Sequence, residues 1–325
     1  MKSIHWLIPL SINNPEELNK VSLASLRLRT AIFLDSSIKN NFNVSFGSNS
    51  EDKVAIESDI LFVGKPVHDI QIQKKWLNLI SKHQNVVIDI TDDHLNNKTP
   101  LTNFYNNALE CKPKIITSSN LLKKITKETK LIKNIFTIED YLELDIYEVT
   151  KNNNREFLWF GHEVNRFFLY EMLQKWKSKL EFNLHIMSSY QGVNLICEEL
   201  PKIKTNTFGN ISVQQWSINN LLNIRKNISG IVIPGNLNDR RKIGVSNNRL
   251  ITSFALGIPV AATRYDSYLE FKDFFCNIDD ESEFNLFIEN NNLYKEKIPT
   301  AQKLLTQYSR QEIVKKWTDF LNSNI

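Results

Sequence analysis

Twice along this chain, short apolar and β-branched runs alternate with stretches whose apolar residues recur at helical spacing, and between the two series the pattern stops. Parallel sheets covered by helices carry this signature, because every parallel crossover needs a helix to return the chain. In the first series IHWLIPL (4–10), NVSFG (43–47), DILFVG (59–64), NVVIDI (85–90) and KIITSS (114–119) predict strands. Helices fit between them. LASLRLRTAIFLDSSI puts Leu23, Leu26, Ala31, Leu34 and Ile38 near one face, and IQKKWLNLI does the same with Ile72, Trp76, Leu79 and Ile80. The polar, aperiodic Lys151-Asn152-Asn153-Asn154 is the natural linker. The alternation restarts at REFLWFG (155–161), a strand, followed by a helix over 165–180. Further strands are expected at 182–187, 211–216, 230–235 and 258–263, with helices near 217–226 and 247–256. Two units follow, 1–150 and 151–308, with a cleft expected between them.

The end of the chain adds one more element. Ser309 and Glu312 form a capping box, and Ile313, Val314, Trp317, Phe320 and Leu321 then share a face, so an amphipathic helix over 309–325 must dock on something.

Composition narrows the class. The 325 residues suffice for two domains, and 42% hydrophobic with 23% charged residues is globular. A formal charge of +4 is mildly basic, but the lysines are interleaved with Asp and Glu and form no concentrated basic face, so nucleic acid is not an expected partner. Cys111, Cys197 and Cys276 lie far apart without a Cys/His cluster, which argues against a disulfide framework or a zinc site and for a reducing compartment. No apolar run approaches the ~20 residues that span a bilayer, and the first ten residues lack a secretory apolar region. The expected location is the cytoplasm, with the inner face of a membrane open to a chain bearing scattered lysines.

The most chemically informative stretch is RRKIGVSNNRLITSFALGIPVAAT (240–263). Asn247, or Ser246, can cap a helix whose Leu250, Ile251, Phe254 and Ala255 face a sheet, and Gly257 supplies the left-handed stop before Pro259. That helix starts at the carboxyl end of the strand at 230–235, the edge where doubly wound sheets bind ligands. Arg249 sits in its first turn, against the helix dipole, so an anionic ligand explains it best. For Asp239, Arg240, Arg241 and Lys242 a solvated loop is the competing reading, and Ser246, Asn247 and Asn248 fit plain capping as well.

VSNNRLITSFALGIPVAAT resembles the nucleotide-sugar-binding segment of GT-B glycosyltransferases. FLWFGHEVNRFF is similar to the strand and turn that open the C-terminal domain of that family, GIVIPG to its later strand, and YSRQEIVKKWTDFL to its closing helix. NVVIDITDDH and KIITSSNLLKKI are similar to late strands of its N-terminal half. The resemblance implies an α/β fold of two Rossmann-like domains facing across a cleft: an acceptor domain (1–150) on which helix 309–325 packs back, and a donor domain (151–308). It implies transfer of a sugar from a nucleotide-diphosphate donor to a glycan or lipid-linked acceptor. The nucleotide sugar is then a co-substrate, and no cofactor or metal is expected. Many retaining members carry two glutamates in an E-x7-E motif, at positions held here by Gly244 and Thr252.

Such a transfer needs donors for the leaving diphosphate. Ser246, Asn247, Asn248 and Arg249 are the candidates, with Arg166 or Arg240 and with His162 beside Gly161. His94 and Asp92, at the end of NVVIDITDDH, are candidates for the acceptor base, a turn cap or surface position being the plain alternative. Arg27 and Arg29 are candidate acceptor ligands or members of a solvated helix face. Other classes fit less well. No G-x-G-x-x-G is present, Gly230 and Gly235 are followed by Asn236 rather than Lys, and Asp89 and Asp92 lack Asp-x-Asp spacing.

Overall fold

A computed structural model of the chain describes residues 1–96, 99–130, 134–176, 181–203 and 209–324. It contains two six-stranded sheets, each wholly parallel in its pairings. The first is built from β1 (Lys2–Leu7), β2 (Phe42–Gly47), β3 (Ile60–Val63), β4 (Val86–Ile90), β5 (Lys114–Thr117) and β6 (Ile135–Thr137), in the order β2-β1-β3-β4-β5-β6. The second uses β7 (Glu156–Phe160), β8 (Asn183–Ser188), β9 (Ile211–Gln215), β10 (Gly230–Ile233), β11 (Val260–Ala262) and β12 (Cys276–Asn277), in the order β12-β11-β10-β7-β8-β9. In each sheet the order reverses once, between β1 and β3 and between β7 and β10. Crevices that bind ligands open at such reversals, at the carboxyl ends of the strands.

The ten expected strands are present with shifted ends. β1 stops at Leu7, short of Pro9, which has no N–H to give a ladder. β6 and β12, three and two residues long, were not anticipated, since edge strands this short carry no readable period.

The chain divides into two compact units. One comprises Met1–Tyr141, Asp239–Ser246 and Tyr308–Ile325; the other comprises Leu142–Asn238 and Asn247–Gln307. The division thus falls after Tyr141 rather than at 150, and Lys151–Asn154 is no linker. Tyr147 and Thr150 donate backbone bonds to Ala255 and Gly257, and Lys295 Nζ reaches Asn152 and Asn153, which ties this stretch into the second unit.

Both faces of the first sheet are covered. Ile4, Trp6, Ile60, Phe62 and Val87 face one core, and Leu61, Val63, Val86, Ile88 and Ile115 face the other. The closing helix Arg310–Asn324 completes the first of these cores: Trp317 meets Trp6 and Phe33 edge-on, with ring centroids 6.2 and 5.0 Å apart. In the second unit Phe157, Trp159, Leu184 and Ile186 build one core. The helix Asn248–Ala255 buries Leu250, Ile251 and Phe254.

Two expected helices differ. The stretch 23–38 is not one helix: a π-turn at Leu26–Thr30 passes into a 3-10 turn at Ala31–Leu34, and Asp35 then breaks off in extended conformation to cap the single turn Ser36–Lys39. The helix expected over 165–180 spans Arg166–Lys175, and 177–180 lie outside the described residues.

Candidate functional site

The second unit's crevice lies where β7 and β10 end. β7 runs out at Gly161, whose N–H donates to Met187 O at 3.1 Å. Ser188 Oγ donates to Gly161 O at 2.8 Å, which fixes the turn to β8. A Cβ on Gly161 would crowd the Trp159 ring at 3.1 Å and would lie at ordinary contact distance, 3.5 Å, from Arg249 Nη1, so the glycine fits under Trp159 and borders the guanidinium. β10 ends at a turn pinned from beyond β11. Thr263 Oγ1 accepts from Gly235 N and the Tyr265 hydroxyl from Asn236 N, each at 2.9 Å. Gly235 is required, since a Cβ there would fall 2.1 Å from that hydroxyl.

From this turn the chain reaches the helix Asn248–Ala255. Asn247 is its N-cap, without a side-chain bond to the first turn, and Gly257 closes it at φ +68°. Arg249 therefore stands at a helix N-terminus beside Gly161. Its Nη1 is buried and makes no hydrogen bond. The guanidinium also faces Tyr268, whose hydroxyl burial pushes up while Arg249 opposes the shift. A buried, unbonded guanidinium nitrogen at a helix N-terminus is chemically suited to phosphate oxygens.

The other predicted donor residues divide. His162 lies in the same turn, with Nδ1 3.2 Å from Glu163 Oε2. Glu163 in turn accepts from Ser189 Oγ at 2.5 Å. Arg166 is committed elsewhere. It forms a fork with Glu199 at 2.6 and 2.8 Å and donates to Glu163 O, so it has few donors left for a diphosphate. Ser246 and Arg240 belong to the first unit, and Arg240 is exposed there.

In the first unit, the loop after β4 carries the acceptor-side candidates, and the structure surrounds them with Lys65, which the sequence did not single out, and with Lys242, which is half-buried and ion-paired rather than part of a solvated loop. Asp92 is bracketed by Lys65, which follows β3, at 2.9 Å and by Lys242 at 3.3 Å. Lys242 arrives on the segment Asp239–Ser246, anchored where Ser119 Oγ donates to Gly244 O at 2.8 Å. Burial pushes the Asp92 carboxyl up, but Lys242 and Lys65 overcome it and hold the group well below the usual carboxylate range. His94 is buried, stacked parallel on Tyr105 with centroids 5.4 Å apart, and its Nδ1 lies 3.0 Å from Thr99 Oγ1. Its Nε2 has no hydrogen bond and lies 4.0 Å from Asp92 Oδ2. Burial, with Lys65 adding to it, lowers His94 to about 4, so the ring is neutral at physiological pH. Asp93, not Asp92, is the turn cap, accepting from Leu95 N and Asn96 N.

The sequence offers Arg27 and Arg29 as acceptor ligands or as members of a solvated helix face. Neither lies on a solvated face: Arg29 is fully buried and Arg27 nearly so. Arg29 donates to both Asp89 oxygens at 2.6–2.9 Å, to Ile138 O and to Asp140, which uses its fork inside the fold rather than on a ligand. Arg27 Nη1 donates to Val21 O at 2.7 Å. The π-turn turns both side chains inward, and no periodicity reports that. Gly244, at a glutamate position of the resembled motif, packs on Leu122 so closely that a Cβ would meet it at 3.1 Å. Among the described residues, no group of three or more His, Cys, Asp or Glu side chains could hold a metal ion.

Two six-stranded parallel sheets, each with one reversal point and a closing helix returned to the first, define the GT-B fold of glycosyltransferases, and this chain has that fold. Solved structures similar to it include HepE of Anabaena with UDP-glucose, 12% identical, covering 99% of this chain and 100% of that one with a TM-score of 0.64. Sucrose-phosphate synthase of Thermosynechococcus elongatus matches at 8% identity over 99% and 98% of the two chains, TM-score 0.66. An α-glucosyltransferase with UDP and a 13-mer DNA matches at 12% over 99% and 100%, TM-score 0.61. In sequence, no family model and no curated protein matches the chain.

Proposed function

We propose that the chain is a glycosyltransferase that moves a sugar from a nucleotide-diphosphate donor to a glycan or lipid-linked acceptor, in the synthesis of a surface polysaccharide or glycoconjugate. The observation that carries this reading is Arg249, buried at Nη1, unbonded there, and set at a helix N-terminus beside Gly161. Diphosphate departure needs donors fixed in advance, and removal of one typically costs about 3–4 kcal/mol of transition-state stabilisation. UDP and UDP-glucose in structures of the same fold support a uridine donor. On the acceptor side, His94 Nε2 would take the hydroxyl proton, and Asp92, kept ionised by its two lysines, would stabilise the imidazolium. The interleaved charges of the chain favour a glycan or lipid-linked acceptor over DNA. No described helix is long and apolar enough to cross a membrane, and we propose a cytoplasmic location, at the inner membrane face when the acceptor is lipid-linked.

Thermal stabilisation by UDP, GDP, ADP and CDP tests the donor site. Binding at 100 times Kd adds about 2.7 kcal/mol to stability. We expect a shift with one nucleotide, lost in Arg249→Ala, and no shift with any of them would remove the reading. A second reading, nucleotide-sugar binding without turnover, draws on Gly244 and Thr252 at the glutamate positions and on the commitment of Arg166 to Glu199. Under it the nucleotide shift persists, whereas donor consumption with every acceptor is absent.

A further inference from the structure

A pocket of about 520 Å³ opens in the first unit between the end of β6 and the closing helix Arg310–Asn324, apart from the Asp92 cluster. Its size falls in the range of roughly 300–1,000 Å³ typical of small-molecule sites. Phe136 and Phe320, with ring centroids 5.0 Å apart, supply apolar surface in its wall. Around them stand Asn120 at the start of the helix Asn120–Lys130, Asp319 and Asn324 from the closing helix, and the ion pair of Glu139 with Lys316 at 2.7 Å. Lys123 balances Asp319, so the charged lining sums to zero. Thr137 Oγ1, also in the lining, is buried and has no hydrogen-bond partner.

This chemistry selects a ligand class. A phosphate or carboxylate would meet Glu139 and Asp319 as well as Lys123 and Lys316, and an aliphatic chain would leave Thr137 Oγ1 without a partner. A neutral sugar fits both requirements. Planar amides and carboxylates offer donors and acceptors in one plane, matching neighbouring hydroxyls that each give and take a hydrogen bond. The C–H face of a pyranose can lie against a phenylalanine ring. We propose that this pocket binds a neutral saccharide unit.

Position gives the pocket a role that rests on the transferase reading, although binding itself does not. Because the strands are parallel, the pocket beyond β6 and His94 beyond β4 both lie toward the carboxyl ends of the first sheet, with the pocket's Phe320 in one core and the Tyr105 stacked on His94 in the other. Where the bound glycan is also the acceptor, its reacting end reaches His94 by passing round these strand ends, which makes the acceptor an oligosaccharide rather than a single sugar.

The test is calorimetric titration of the full chain, without nucleotide, with maltotetraose, cellotetraose, mannotetraose and chitotetraose. Asp319 and Ser323 are exposed, so Asp319→Ala and a pocket-filling Ser323→Trp should leave the melting temperature unchanged. Saturable binding of at least one tetrasaccharide is expected, weakened about tenfold by Asp319→Ala and abolished by Ser323→Trp. Absence of binding by all four, binding that survives both substitutions, or tighter binding of tetragalacturonate would each overturn the proposal. Nucleotide stabilisation is read separately: saccharide binding without it would retire the transferase reading and keep the pocket, and the converse outcome would do the reverse.

Discussion

At the residue scale the decisive quantity is how many hydrogen-bonding groups of a side chain the fold has already used. Arg29 and Arg249 were both candidate ligands by type. Arg29 spends its fork on Asp89, Asp140 and Ile138 O, and although burial works against its charge, Asp89 and Asp140 raise its pKa further. Removing one partner leaves a buried charge, so Asp89→Ala should destabilise the protein by about 3–5 kcal/mol, read from urea unfolding. Arg249→Ala should instead leave stability nearly unchanged and remove nucleotide binding. Arg249 was legible in the sequence because a cation in a first helical turn is locally unfavourable and asks for a partner. Lys65 was not, since its relation to Asp92 exists only across two strand ends.

At the element scale, the helix Asn248–Ala255 depends on its stop as much as on its start. Gly257 holds φ +68°, and a Cβ there would lie 2.2 Å from Glu148 O. Gly257→Ala should therefore cost more than the roughly 1–3 kcal/mol of a strained backbone alone, and should weaken nucleotide stabilisation by shifting the helix that carries Arg249. The closing helix was legible from its capping box and apolar face, and Ser309 Oγ accepts from Glu312 N at 3.3 Å as that box predicts. Trp317 is fully buried among Trp6, Phe33 and Phe62. Trp317→Ala should cost about 3–5 kcal/mol, measured by denaturant unfolding. The break of residues 23–38 into π, 3-10 and α turns was not legible, because each piece is about one turn long, too short for its own period to show in the apolar spacing.

At the scale of the whole molecule, pH exposes the buried histidines. Burial lowers both His5 and His94 to about 4, against an unfolded value near 6.5. Between those values the unfolded chain binds the protons and the folded chain does not. Stability should therefore be complete above pH 6.5 and fall toward pH 4, by up to about 3 kcal/mol per histidine. His94→Asn should flatten that slope, as read from urea midpoints across the range, and an unchanged slope would show that His94 is not held neutral. The sequence by itself determined the parallel α/β architecture, the docking helix and the helix that presents Arg249, because periodicity, caps and glycine stops act within a few residues. Tertiary structure alone decided that Asp239–Ser246 belongs to the first unit, that Lys65 and Lys242 clamp Asp92, and that Arg29 is internal. Those outcomes depend on which strand ends become neighbours, and strand order is fixed by packing across the sheet rather than by any local pattern.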